Sequence, residues 1–205
     1  MIVARPRLLD LFCGAGGAAM GYHRAGFDVT GVDIAPQPSY PFTFVQADAL
    51  AYPLDGFDVV HASPPCQAYS VLGNFGHDDY PDLYAAVRAR IAAGRVPWAI
   101  ENVPGAPYRQ GVVLCGSMFG LQVRRHRNFE TSHLLLSPQC RHDTQPRTFT
   151  VCGHSGGVLA LRRPTGSADD WRRAMGIDWT TRDELAQAVP PAYTEWIGRE
   201  LLAVL

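Results

Sequence analysis

Ten residues, DLFCGAGGAA from Asp10 to Ala19, constrain this chain more than any other stretch. An apolar run from Leu8 to Phe12 enters them, and AAMGYHRAGF continues with helix-forming residues as far as Gly26, a fitting C-cap. A strand that hands over to a helix through glycine lets the backbone approach a ligand with no Cβ in the way. Gly14, Gly16, Gly17 and Ala19 nearly spell G-x-G-x-x-A, and Asp33 ends the next β-rich segment 19 residues after Gly14. An acid there accepts hydrogen bonds from ribose hydroxyls, so the pair predicts an α/β fold with a nucleoside-bearing cofactor; the plain alternative is a tight strand-to-helix turn. Asp48, closing a third β-rich segment, either meets an adenine edge or caps its own turn.

The rest of the chain extends the pattern. Asp28–Asp33, Phe42–Asp48 and Phe57–Ser63 read as strands, 81–93 as a helix, and 97–103, 112–114 and 128–130 as further strands. Strands with helical connections imply a parallel sheet. From Thr131 to Leu161 the chain turns rich in Pro, Gly and polar residues around a strand-like TFTVCG, and the last forty residues return to helix-forming composition, with Pro190 and Pro191 opening a final helix through Leu205. A length of 205 residues fits one domain with at most a small lobe.

Composition narrows the class. Hydrophobic residues make up 47% and charged residues 18%, which is globular and not disordered. No apolar run approaches the ~18 residues of a membrane span, and Asp10 interrupts the N-terminus before a signal-peptide core develops, so a soluble, cytoplasmic chain is expected. The five cysteines form an odd set without a disulfide spacing and read as reduced thiols. All 18 basic residues are arginine. From Arg109 to Arg173 ten arginines face four acidic residues, whereas the remainder has eight against fifteen, so the net charge of −1 conceals a basic face suited to a polyanion.

Two segments carry reactive groups. Ser63-Pro64-Pro65-Cys66-Gln67 follows a predicted strand, and its two prolines stiffen the turn that presents Cys66. A thiolate is the strongest ordinary nucleophile near neutral pH, but an unperturbed pKa of ~8.5 means that the site or substrate must help form it. Trp98-Ala-Ile-Glu101-Asn102 ends an apolar run in a carboxyl that must either pair with a cation or have its pKa raised. Both would lie at carboxyl ends of strands, where α/β sheets bind ligands. Arg124-Arg125-His126-Arg127 supplies a partner for Glu101 or a clamp for phosphate.

DLFCGAGG, the spaced Asp33, SPPCQ, ENV, RRHR and AVPP stand in the order and at roughly the intervals of the DNA cytosine-5 methyltransferase family, which the chain resembles along nearly its whole length. That resemblance implies a Rossmann-like sheet of an S-adenosylmethionine-dependent methyltransferase, with a small target-recognition insertion. Residues 1–130 would form the catalytic, cofactor-binding domain, 131–161 the recognition region, and 162–205 a return to the catalytic domain. Asp10, Phe12, Gly14, Gly16, Gly17, Asp33, Ile34, Asp48, Ala49, Pro65 and Val189 would surround the cofactor. Cys66 would be the nucleophile, Glu101 the acid at cytosine N3, and Arg125 and Arg127 the arginines beside the base. Ser63, Gln67, Asn102, Arg141 and Arg147 would serve the substrate, with Asn102 ordering the catalytic loop and 67–81 acting as a lid.

The chemistry asks for these types, because cytosine C5 is unreactive until something adds to C6 and a proton donor at N3 offsets the charge. A base stacked in a duplex must also be flipped out. The implied partner is DNA, read by a monomer with no membrane, in a restriction-modification setting. The same chemistry would serve RNA, single-stranded DNA or a free nucleotide, and a silent DNA-binding partner is the non-enzyme alternative. Three positions depart from the family: Val123 replaces a glutamine, and Ala186-Gln187 replaces Gly-Asn ahead of Val189. Cys140-x-His142 and Cys152-x-His154 invite a zinc reading, but their spacing is tighter than zinc ligands usually show, and no metal is expected.

Overall fold

The structure is a computed structural model that describes residues 4–66, 69, 82–145, 147–152 and 166–205. Seven strands form one sheet: β1 Arg7–Leu11, β2 Asp28–Asp33, β3 Thr43–Gln46, β4 Val59–Ala62, β5 Trp98–Asn102, β6 Gly111–Leu114 and β7 Arg127–Thr131. Their order is β3-β2-β1-β4-β5-β7-β6. The helices are α1 Gly17–Ala25, α2 Tyr84–Ala92, α3 Ala168–Met175, α4 Arg182–Gln187 and α5 Pro191–Leu202, with a 3-10 turn at Gly116–Phe119.

β1 to β5 pair in parallel as expected, but β7 runs antiparallel to both β5 and β6. Eight residues link β5 to β6, too few for a crossover of a dozen or more, and the chain instead inserts β7 between them on its way back. The connections from β2 to β3 and from β3 to β4 are irregular chain.

β4 and β5 are buried at every position, because helices or loops cover both faces. One apolar cluster packs α1 and α5 on the sheet through Tyr22, Phe27, Tyr193, Ile197 and Leu201; a second packs α2 beneath Leu9, Leu11, Val60 and Ile100; a third joins α3 and α4 through Val123, Val151, Trp171, Met175 and Leu185. Capping boxes start α3 at Ser167 and α4 at Thr181, each with a side-chain oxygen accepting a backbone N–H of the first turn. Thr194 Oγ1 donates to the Ala18 carbonyl at 2.8 Å, which fixes the last helix against the first. TFTVCG forms a single bridge, Phe149 to Val123, and not a strand. Among the described residues no helix is long and apolar enough to cross a membrane.

Strand order reverses on either side of β1 and β4, so a crevice opens outside their carboxyl ends. The glycine turn, the Pro-Pro-Cys turn and Glu101 all leave the sheet at that edge.

Candidate active site

At the glycine turn, Phe12 has φ 57°, a left-handed conformation that costs a non-glycine residue about 1 kcal/mol or more. Gly14 follows at φ 48°, and a Cβ there would meet nothing within 4 Å, so its flank is open space. The Asp33 carboxylate accepts from Gly14 N–H at 3.1 Å and from Ala35 N–H at 3.0 Å, which holds it over the turn. Ile34 beside it is 73% exposed, an apolar ledge with no protein cover. Gly17 works differently: a Cβ would come within 2.5 Å of the Val189 carbonyl, so α1 and the C-terminal segment meet only because the residue lacks one. Trp179 Nε1–H donates to the Ala15 carbonyl at 2.9 Å and ties the same segment to the turn.

An open flank, a fixed carboxylate and a bare apolar side chain fit a ligand with a ribose and a flat base. Asp48 is exposed and accepts from Leu50 N–H at 2.8 Å, which makes it the cap of its turn, beside buried Ala49. Asp10 is fully buried, and neither carboxylate oxygen has a hydrogen-bond partner. Burial, aided by the charge of Asp33, pushes its pKa well above the usual carboxyl range. The protein itself covers this side chain on all sides.

At the second turn Cys66 is half-buried and Pro64 buried. Asn102 Nδ2 donates to the Pro64 carbonyl at 3.1 Å while its Oδ1 accepts from Val103 N–H at 2.8 Å, so the end of β5 clamps the turn two residues before the thiol. Burial pushes the Cys66 thiol up, opposed by Arg127 and Arg125 and reinforced by Glu101. Glu101 is 6% exposed. Burial raises its pKa too, against the pull of Arg127, Arg125 and a hydrogen bond from Ser63.

Arg127 Nε sits 2.8 Å from Glu101 Oε1 but off the hydrogen-bond direction, so this oxygen has no hydrogen-bond partner. The two sequence readings of Glu101, a salt bridge or an acid of raised pKa, hold at once. Arg125 is not equivalent to Arg127. Its Nη1 donates to Val151 O at 2.9 Å and its Nη2 to Ala186 O at 2.6 Å, while its own carbonyl accepts from Tyr193 Oη at 2.6 Å. This side chain joins Val151 to the C-terminal helices, and burial lowers its pKa to about 9.

Sequence reasoning missed His61. The fully buried ring hydrogen-bonds Tyr22 Oη through Nδ1 (2.9 Å) and Ser63 Oγ through Nε2 (2.9 Å), one nitrogen donating and the other accepting, and burial lowers its pKa to about 3. A neutral imidazole thus supports the hydroxyl that touches Glu101; its place on β4, two residues before Ser63 and on the same face, was the available signal. Arg141 and Arg147 are exposed; Arg141 N–H donates to Ser117 Oγ at 3.1 Å, and Arg147 lies 5.6 Å from the Phe149 ring centre. Gln67, the rest of the proposed lid 67–81 apart from Tyr69, and His154 lie outside the described residues.

The C-5 cytosine-specific DNA methylase family matches residues 6–107, essentially half of the chain and the part that carries both turns and Glu101. The type II methyltransferase M.XorII of Xanthomonas oryzae pv. oryzae is 29% identical over 124 residues, 50% of this chain and 29% of that protein. M.AquIA of Picosynechococcus is 31% identical over 123 residues, 48% of this chain and 49% of its own length. The chain thus spans half or less of these curated relatives.

Among solved structures, a DNA modification methyltransferase encoded within an E. coli prophage superposes with a TM-score of 0.69 at 16% identity, covering 97% of this chain and 99% of that one. A DNMT2 variant from Spodoptera frugiperda gives 0.65 at 14% identity, covering 96% and 99%. At such identities these two speak for the fold, a Rossmann-like methyltransferase sheet. The family match falls on the two turns and Glu101 that line the crevice, so residues 6–107 belong to the C-5 cytosine-specific DNA methylase family.

Proposed function

We propose that the protein methylates C5 of cytosine in DNA, with S-adenosylmethionine as donor and Cys66 as the nucleophile on a flipped-out base. The observation that carries this reading is the grouping of Cys66, Glu101 and Arg127 beside the glycine turn, with the carboxyl pushed toward its protonated form. Asp33 would hold the donor's ribose, Ile34 and Ala49 would flank its adenine, Gly14, Gly16 and Phe12 would line its path, and Pro65 and Val189 would close it. When bound, this cofactor supplies a sulfonium methyl group.

The protein's part begins with the thiol. Cys66 must lose its proton to solvent, and the positive charges of Arg127 and Arg125 favour the thiolate, which adds to C6. Glu101 gives its proton to N3 as charge enters the ring, binding the adduct more tightly than the starting base. Arg127 then faces the carboxylate that Glu101 has become. After C5 is methylated, water removes the C5 proton, the C6–S bond breaks, the ring regains its aromaticity and N3 returns its proton to Glu101. Asn102 and Ser63 position these groups, and exposed Arg141 and Arg147 would contact the nucleic acid.

The test incubates labelled donor with duplex DNA, single-stranded DNA, RNA and free cytidine nucleotides, followed by nucleoside mass spectrometry. 5-Methylcytosine in duplex DNA, lost in Cys66→Ala, supports the reading. Transfer confined to RNA or nucleotides refutes the DNA substrate, and full activity of Cys66→Ala refutes the mechanism. DNA carrying 5-fluorocytosine should leave a covalent adduct at Cys66, because elimination is blocked. Sedimentation at the mass of one chain would support the monomer.

A further inference from the structure

Away from the crevice, four side chains from three separate segments converge. Cys115 follows β6 and His126 precedes β7, while Cys140 and His142 come from the recognition segment. The β6–β7 register explains the first two: Leu114 pairs with Arg127, so the next residues outward, Cys115 and His126, are brought face to face. Cys115 Sγ lies 3.2 Å from His142 Nε2, and Cys140 Sγ lies 3.6 Å from His126 Nε2. The two imidazoles stand nearly perpendicular at 5.3 Å, and one ligand atom from each of the four residues lies within 4.8 Å of every other.

We propose that Cys115, His126, Cys140 and His142 bind a structural zinc ion. Zinc–sulfur and zinc–nitrogen bonds of about 2.3 and 2.05 Å at a tetrahedral angle put sulfur and nitrogen about 3.6 Å apart. The Cys140–His126 distance matches that edge, the Cys115–His142 distance is about 0.4 Å short of it, and the widest pairs need to close by about 1–1.5 Å. Each thiol releases its proton to solvent on binding, so two thiolates and two neutral imidazoles balance the dication, and a neutral complex suits a half-buried position. The sequence expectation of no metal rested on pairing Cys140 and His142 with Cys152 and His154. The fold gives them Cys115 and His126 instead.

The recognition segment needs such a fastening. From Ser132 to Cys152 only Thr148 and Val151 are buried among the described residues, and Leu134 and Leu136 are 73% and 86% exposed. What holds residues 140–145 is polar: Arg124 to Gln145 and to the His142 carbonyl, Gln145 to the carbonyls of Leu121 and Val123, and Arg141 N–H to Ser117. A lobe without its own core is the usual setting for a structural metal. His126 also lies between Arg125 and Arg127, so the same ion would fix the arginines of the crevice. If the proposed function holds, it would present Arg141 to DNA from a rigid turn.

The experiment uses the full-length chain. Metal analysis by mass spectrometry should find about one zinc per chain, and chelator-stripped protein should take up about one zinc ion again. Cobalt replacement should give the visible bands of a tetrahedral site and a thiolate charge-transfer band. Cys140→Ser, a change at an exposed position, should lower zinc affinity by more than the roughly 10–100-fold that outer-shell changes produce, while Cys152→Ser keeps the ion. No zinc in either the purified or the reconstituted wild-type chain overturns the proposal. So does a Cys115–Cys140 disulfide in freshly purified protein, detected by peptide mass mapping. None of these readouts depends on methyl transfer, so their failure is separable from failure of the proposed activity.

Discussion

Replacing Asn102 with alanine isolates the clamp that sets the Cys66 turn. The side chain is 2% exposed and makes two hydrogen bonds, to the Pro64 carbonyl and from Val103 N–H. Alanine leaves a buried acceptor and a half-buried donor without partners, at about 1–3 kcal/mol each before relaxation, so a loss of about 2–4 kcal/mol is expected. In a chain of this size that lowers Tm by roughly 5–15 °C. The kinetic effect should be larger than the loss of stability alone implies. Pro64 is two residues from the thiol, and a misplacement of about 1 Å at a reacting atom costs on the order of a hundredfold.

Calorimetry, single-turnover methyl transfer at a temperature where the variant is folded, and titration with the donor separate the effects. The expected result is a lower Tm, a rate reduced about ten- to a hundredfold, and donor affinity within about twofold of the parent, because Gly14 and Asp33 are untouched. An unchanged Tm, or donor affinity that falls in step with the rate, would refute the clamp.

Three further outcomes follow from the same geometry. His61 has a folded pKa of about 3 against about 6.5 when unfolded, so the unfolded chain binds more protons between these values; stability should be complete above pH 6.5 and fall by up to about 4–5 kcal/mol toward pH 3, a slope that His61→Gln should flatten in pH-dependent denaturation. Gly17→Ala, which sets a Cβ against the Val189 carbonyl, should cost about 1–3 kcal/mol in urea unfolding and weaken donor binding, whereas unchanged unfolding would show that the approach is loose. Glu101→Gln should keep donor affinity and lower the transfer rate by about a hundredfold or more, with little of the rate recovered at low pH; a rate equal to the parent's would remove the proton donor.

The fold was legible where its cause is local. DVTGVD reads as a strand and forms one over the same six residues, and the glycine turn is followed by a helix that stops at Gly26. The direction of β7 was not legible, because it depends on which strand a returning chain meets and not on the pattern of its own five residues. Long-range pairing likewise hid the companions of Cys140 and His142: Cys115 and His126 are eleven positions apart with no motif between them, and become neighbours only through the Leu114–Arg127 register.

The arginine pair shows how far a motif can carry a role. The resemblance implies that both arginines of RRHR stand beside the base, and the fold gives the two different contacts, with Arg127 at the Glu101 carboxyl and the Nη groups of Arg125 holding the backbone at Val151 and Ala186. The Nη groups of Arg125 hold two segments while its Nε has no hydrogen-bond partner, so besides placing a charge near Cys66 it ties Val151 to the C-terminal helices, and its removal would break that tie as well. Arg125→Met should therefore lose rate and cooperative unfolding together, while Arg127→Met should lose rate with its Tm little changed. Equal thermal losses in the two variants would show that the division is wrong and that both arginines serve the base.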